Sequence, residues 1–383
     1  MIVPILVLMA VIGVPLFAVI AFAALNAYLG AELEPALFII GFMELGDHAQ
    51  LLAVPLIFAI AALLGRDYLR GWGSLLTSLV DGLPSGVSLA SIVLALIAVP
   101  IVACGLVMAM LVPVVLYTVI SVAVVPRESI GADELVVAAL LPALLMVAAV
   151  ACLPGLGHRL STDCGDAHSS TEPFGRLWWD LPVLFIAIAA IACGWLTVKE
   201  TALVVLVWVL FTRVVAWREM AWKELPERLT GSVVTSAGIL LMLGLMMSCV
   251  AMLHDVGVLQ TLNRGIGPPT VSLAVLILLL VFGGLVLGIQ AGLVLLAPLS
   301  IPVGLAIGMA PMHLGVVSMA CVLLGRSLLP LARAQWPNGR WGRDVEPDQG
   351  LSATWRVLLV PAILFLVMLV ALPVLSLWLP NRI

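Results

Sequence analysis

The sequence predicts an all-α, polytopic membrane protein of about eleven or twelve transmembrane helices, and three features predict it. Of its 383 residues 63% are hydrophobic and 10% charged, with a mean hydropathy of +1.26, where ordinary soluble domains carry roughly a quarter charged residues. Apolar runs of the length that crosses about 30 Å of hydrocarbon recur from end to end. Two runs, between Asp81 and Arg127 and between Arg264 and Arg326, contain no Asp, Glu, Lys or Arg, so each must fold back within the membrane. A net charge of −4 with a pI near 5.7 gives no basic face and argues against a nucleic-acid partner.

Backbone groups in lipid must be satisfied within their own segment, so each apolar run reads as a helix. The first, 3–25, has no basic residue ahead of it and the first charge is Glu32, so it reads as a retained helix and not a cleaved signal. The next, 37–64, is expected to be broken; then come 87–104, 106–125, 135–153, 177–198, 202–217 and 233–254. Spans 271–287, 293–309, 313–329 and 357–379 complete the set.

Two stretches are too polar to cross. Leu69, Trp72, Leu75, Leu76, Leu79 and Val80 repeat at helical spacing, with Arg66, Asp67, Arg70, Ser74 and Ser78 on the other faces, as in a helix lying along the interface. In 217–229, Glu219 stands four before Lys223 and Glu224 four before Arg228, while Pro226 must start, kink or end a helix. Arg213 and Arg218 bring the basic residues there to four, which places this stretch on the cytoplasmic side.

The two charge-free runs each follow such an amphipathic stretch. Both are interrupted by Gly and Pro: Pro100, Gly105 and Pro113 in one, Gly283, Gly284, Gly288, Gly292, Pro298 and Pro302 in the other. This order suggests one membrane domain, 1–383, built as an inverted repeat, with halves 1–155 and 177–383 around a polar loop, 156–176. The second run is longer by about fifteen residues, enough for half a hairpin or a short helix.

Five of the six cysteines stand singly inside apolar runs, which is not a disulfide framework. His158, Cys164 and His168 share the polar loop at a spacing that matches no zinc pattern, so no metal site is expected. No nucleophile with a neighbouring base is visible, which argues against an enzyme.

At this point the motifs resemble a known family. Leu51-Leu52-Ala53-Val54-Pro55-Leu56 is similar to an "LLAIPLF" segment, and Leu83-Pro84-Ser85-Gly86 to a Pro-Gly-Gly helix entry. Gly194, Thr197, Glu200 and Ala202 fit a "G..TPTEAA" element, with Val198 and Lys199 replacing its Pro and second Thr. Ala297-Pro298, Pro302, Gly308, His313 and Gly315 follow "TPILLPVA..LGIDPVHFG", and the close, Leu375 to Pro380, resembles the family's terminus. Together these resemble the large membrane subunit, DctM-type, of the tripartite ATP-independent periplasmic (TRAP) transporters, across about residues 5 to 380. The resemblance implies an ion-transporter-like, elevator-type carrier in the bacterial inner membrane, with a moving domain that holds two re-entrant hairpins. It also implies sodium-driven import of small organic acids, a small membrane subunit and a periplasmic binding protein as partners, and no cofactor besides sodium.

The departures fall where transport chemistry should lie. The family's first hairpin should stand between Leu96 and Leu106, yet the chain passes through with Ile97-Ala98-Val99-Pro100-Ile101, so an incomplete first hairpin is expected. The "GMFLD" aspartate falls on Gly288, and the "NLEIGLLTPPVG" element keeps Gly325 and Pro330 while placing Arg326 inside it. The candidate substrate or ion residues are therefore Gly284, Gly288, Gln290, Ser300, Gly325, Arg326 and Pro330, beside the motif matches Pro55, Thr197, Glu200, Pro298 and Pro302. Sodium prefers several oxygen ligands, which this run offers sparsely. Two readings of Arg326 stand: a counter-charge for an anion, or a helix-end arginine that snorkels to the interface.

Glu44, Asp47 and His48 form a second constellation, with Glu44 and His48 on one helix face at i, i+4: a proton relay, or an interfacial loop that caps the following helix. His254 and His313, at span ends, read as headgroup-facing. The loop 332–352 carries Arg333, Trp336, Arg340, Trp341 and Arg343, either partner contacts or a solvated loop with its tryptophans at headgroup level. Two functions remain: a TRAP-like permease subunit, or a transport-inactive relative that serves as a structural or accessory subunit of a larger membrane complex.

Overall fold

The computed structural model describes residues 5, 8, 9, 12–64, 107, 110–126, 130–151, 174–216, 223–257, 267–328 and 362–380. These form helices with no strand among the described residues. The expected span 87–104, the first surface helix near 69–80, the first-hairpin region, Pro330 and the 332–352 loop with Arg333, Trp336, Arg340, Trp341 and Arg343 all lie outside them.

Helix α1, Leu16–Gly30, starts after Gly13, which has φ 90°, and Pro15. The expected span from residue 3 is therefore not one uninterrupted helix, because Gly13 leaves right-handed helical space and Pro15 cannot donate to the turn before it. Helix α2, Pro35–Met43, carries proline in its first turn, where the missing N–H costs nothing. Two 3₁₀ turns, Glu44–Asp47 and Ala49–Leu52, separate it from α3, 53–64, and the axis bends by 67° between the two arms. This is the break expected in 37–64.

Helices α4 (Leu111–Val124), α5 (Ala132–Ala151), α6 (Phe174–Ala192) and α7 (Val198–Leu210) follow. Helix α7 relaxes into a π-helical turn, Phe211–Ala216, that buries Arg213. Helix α8, Leu225–Asp255, is 31 residues long, about 46 Å at 1.5 Å per residue and so longer than the hydrocarbon is thick. Its first turns take in the end of the second amphipathic stretch, residues 225–229, continuous with the span that sequence patterning separates from it, because Pro226 stands in the first turn and starts the helix instead of breaking it. Helices α9 (Pro269–Leu287), α10 (Ile289–Ala306) and α11 (Pro311–Ser327) follow, then α12 (Ala362–Ala371) and the short α13 (Val374–Leu377).

Among the described helices α8, α9 and α10 are each long and apolar enough to cross a membrane, and the bent α2–α3 pair qualifies as one span. A central core joins α1 and α3 to α12, with Phe38 and Phe42 of α2 packed against it. A satellite core sets Leu63 of α3 and Val209 of α7 against Leu225 and Leu229 at the start of α8. Helix α8 thus reaches from the satellite core into the central one. Large exposed apolar side chains such as Val275, Leu278 and Phe282 on α9, or Ile363, Leu364 and Val367 on α12, form outward faces suited to acyl chains.

Candidate functional site: a glycine-built hairpin and a polar helix break

The hairpin is built from glycine. Gly288, at φ 88° and ψ −179°, is the single residue between α9 and α10, in a conformation that a side chain would strain. The chain turns back on itself there, so that a Cβ on Gly292 would stand 2.9 Å from the carbonyl oxygen of Gly283. Helix α11 crosses the same hairpin. A Cβ on Gly284 would collide with the Val322 carbonyl, and one on Gly325 with the Val281 carbonyl. In lipid, where apolar burial does not favour helix over acyl chain, such backbone contact is the chief source of helix association.

Gly284 and Gly325 are therefore brought together as structural elements of one crossing, with Gly288 at the turn beside it. Gln290, in the first turn of α10, is half-buried beside the tip. Ser300 is fully buried, and its hydroxyl donates to the Ala297 carbonyl of its own helix at 3.1 Å. Pro298 and Pro302 are buried in α10. Arg326 lies exposed in the last turn of α11, the position from which a long cationic side chain reaches an interface and favours the helix C-terminus. Among the described residues no group of three or more His, Cys, Asp or Glu could hold a metal ion.

The motif residues Thr197 and Glu200 have a local purpose. The Glu200 Oε2 accepts from the Thr197 N–H at 2.9 Å, and Asp133 Oδ1, from the first turn of α5, accepts from the Val198 N–H at 2.7 Å. Two carboxylates thus satisfy the N-terminus of α7, and one ties α5 to it. Pro55, half-buried, stands in the first turn of α3.

His313 departs from the headgroup position expected of it. It is 1% exposed, and its Nδ1 lies 2.7 Å from the Ser376 hydroxyl of α13, so it docks the C-terminal end of the chain onto α11. Sequence spacing could not reveal this, because the partner is 63 residues away.

The break between α2 and α3 forms the second region. Glu44, Asp47 and His48 line a cavity of about 540 Å³ with His254 and Asp255 from the end of α8 and Val122, Ala123 and Pro126 from the end of α4. The His254 Nε2 lies 2.9 Å from the Val124 carbonyl, one of the unsatisfied acceptors at the C-terminus of α4. Tyr28 forms part of the floor, its hydroxyl donating to the Ser248 carbonyl at 2.8 Å and its ring edge-on to Phe38 at 5.8 Å. Ser248 also donates to the Phe38 carbonyl at 2.8 Å, and a Cβ on Gly41 would lie 2.9 Å from its Cα, so α1, α2 and α8 are pinned at one residue. The sequence identified the first three polar residues but not His254 and Asp255, which lie about two hundred positions away.

Comparison with known proteins fits this architecture. Residues 93–381 match the family described as "Tripartite ATP-independent periplasmic transporter, DctM component". A C4-dicarboxylate TRAP transporter large permease protein DctM of Pseudomonas aeruginosa is 24% identical over 209 residues, 53% of this chain and 48% of that protein. A sialic acid TRAP transporter large permease protein SiaM of Vibrio cholerae is 34% identical over 113 residues, 30% of this chain and 26% of that protein. An uncharacterized protein YgiK of Salmonella typhimurium is 26% identical over 155 residues, 39% of this chain and 35% of that protein. The matched segments thus span about half or less of the length of these relatives.

Proposed function

The chain belongs to the DctM component family of tripartite ATP-independent periplasmic transporters, and from that premise we propose that it is the large permease-type subunit that carries a small organic anion across a bacterial inner membrane. The observation that carries the reading is the α9–α10 hairpin, turned on Gly288 and closed by Gly283 against Gly292. A helical hairpin in lipid presents backbone groups at its tip, and half-helix termini there can meet an anion or a cation without charged side chains. Sodium is the coupling ion in this reading, held by tip carbonyls, with Gln290 near the substrate. A small membrane subunit and a periplasmic binding protein complete the system. In this reading the end of α8 near the basic residues Lys223 and Arg228 faces the cytoplasm and Asp255 the outer side, which the excess of basic residues on cytoplasmic loops supports.

A second reading rests on a separate observation. The backbones of α9 and α11 meet at Gly284 and Gly325, and Ser300 spends its hydroxyl on its own helix, which suits a fixed structural subunit that has lost transport. Proteoliposomes that contain the chain with its small subunit and binding protein separate the two. Sodium-dependent uptake of a labelled organic acid that Gln290→Leu abolishes supports the carrier. Absence of uptake with every organic acid tested, from a preparation that still assembles with its partners, supports the structural subunit.

A further inference from the structure

The contact between His313 and Ser376 joins the first turn of α11 to α13, and both side chains are buried. Ser376 has a single hydroxyl hydrogen, which it gives to the Pro373 carbonyl at 3.1 Å. Its oxygen is left to accept, so the hydrogen on the 2.7 Å contact belongs to His313 Nδ1. In that tautomer Nε2 carries a lone pair, and it is buried with no hydrogen-bond partner. Nε2 is therefore where a second proton adds, and adding it makes a buried imidazolium.

The surroundings of the ring decide whether that charge can stay. Helices α9, α10, α12 and α13 carry no titratable residue. Besides His313, α11 carries Cys321 and, at its far end, Arg326, about 20 Å away at 1.5 Å per residue. Tyr117 of α4 and Leu135 of α5 both lie against Gly315. The two carboxylates just before Leu135 are engaged elsewhere: Asp133 accepts from the Val198 N–H and Glu134 from the Gly131 N–H. The Val370 carbonyl, in the last turn of α12, faces the imidazole. One neutral acceptor does not replace the hydration that a charge loses on burial. Among the described residues no carboxylate acts on the ring to keep it charged.

We propose that His313 and Ser376 form an acid-sensitive latch, in which protonation of His313 releases α13 from α11. The released ring takes up a proton in water near the ordinary imidazole value, about 6.5, and the docked ring stays neutral. The released state therefore binds more protons, so docking is at full strength above about pH 6.5 and weakens as the pH falls, by up to about tenfold per unit. Gly284 and Gly325 hold the other end of α11, so release frees the C-terminal segment and leaves the hairpin crossing intact. In the orientation proposed above, α9 and α10 return the chain to the outer side, where His313 reads the external pH. The latch itself does not rest on that orientation or on transport.

The test is hydrogen–deuterium exchange of residues 372–380 in the full chain in phosphatidylcholine nanodiscs, each rate corrected for the intrinsic dependence of exchange on pH. Protection is expected to fall about tenfold between pH 7.5 and 5.5 and to return on neutralisation, while residues 276–287 of α9 stay unchanged. His313→Asn keeps an N–H donor for Ser376 but cannot titrate, and its protection is expected to be flat over that range. His313→Leu keeps apolar packing without the bond and serves as a second non-titrating variant, with the same expectation. If neither variant docks at pH 7.5, the wild-type midpoint decides: a value near about 6 assigns the release to an imidazole, and one near about 4 assigns it to carboxylates and overturns the proposal. Protection independent of pH, an equal loss in residues 276–287, or the wild-type pH profile in a docked non-titrating variant would each overturn it as well.

Discussion

Replacing Gly325 by alanine tests whether backbone contact holds the hairpin against α11. The new Cβ would overlap the Val281 carbonyl and stand 2.9 Å from the Leu285 nitrogen. An ordinary carbon–oxygen contact needs about 3.3 Å, so the two helices must part by about 1 Å. Parting them loosens the whole seam, since dispersion falls steeply with separation. Overpacking in a close-packed core costs about 1–3 kcal/mol, and the upper figure applies because a helix carbonyl cannot rotate aside. Alanine returns about 1 kcal/mol in helix propensity, which leaves a net loss of about 2 kcal/mol, or about thirtyfold in the folding equilibrium. Gly238→Ala on α8 is the matched control: no atom lies within 4 Å of its Cβ, so the propensity gain of up to about 1 kcal/mol stands alone. Cys321 on α11 is 0% exposed and serves as reporter, with the other cysteines replaced by alanine. Its labelling by a maleimide dye on heating is expected at a lower temperature in Gly325→Ala and at the same or a higher temperature in Gly238→Ala. If Gly325→Ala melts with or above its parent, the crossing is not close-packed and the account of the hairpin fails.

Three further substitutions probe the polar contacts that hold the bundle. Ser376→Ala leaves the buried His313 Nδ1 without its partner and is expected to destabilise by about 1–3 kcal/mol, with a double-mutant cycle against His313→Leu recovering part of the loss. Asp133→Ala removes the acceptor of the Val198 N–H, whereas Asp133→Asn keeps an oxygen there; alanine is expected to cost about 1 kcal/mol more than asparagine in thermal melts. Ser248→Ala loses the bond to the Phe38 carbonyl but not the backbone contacts of Tyr28 and Gly41, so a loss of only about 1 kcal/mol is expected, and a much larger one would show that the hydroxyl does more than bond Phe38.

The apolar helices among the described residues were legible because lipid makes the same demand of each: apolar runs with their hydrogen bonds closed inside. The break within 37–64 was legible for the converse reason, since Glu44, Asp47 and His48 interrupt an apolar run where a straight helix would carry them into hydrocarbon. Boundaries were less so. Pro226 is compatible with starting, kinking or ending a helix, and only its place in the first turn of α8 shows that residues 225–229, the end of the surface stretch, run on into the span as one rod. Likewise Gly288 alone did not reveal the hairpin, because glycine is common in packed membrane helices; the fold-back depends on Gly283 meeting Gly292. His313 and His254 were placed by their position at span ends, yet one is buried against Ser376 and the other caps α4. Both bonds join residues far apart in sequence, and single-chain periodicity carries no information about them.

The contacts also divide by kind, and the division bears on what can move. In lipid a helix gains little by exchanging acyl chains for apolar side chains, so a fixed interface needs backbone approach or a polar bond. The α1–α2–α8 group has both, through Gly41, Ser248 and Tyr28. The α9–α10–α11 group has backbone approach at Gly283, Gly284, Gly292 and Gly325. Between the groups α10 packs on α4 and α8, and neither of its glycines, Gly292 and Gly304, brings it against those helices, since they meet α9 and Leu314 instead. An interface of side chains alone can slide or repack at lower cost than one where carbonyls touch Cα atoms. If this chain changes shape as it works, the seam between those two glycine-stapled groups is therefore where the change is least costly, and the polar break beside α8 belongs to the group on the other side of that seam from the hairpin.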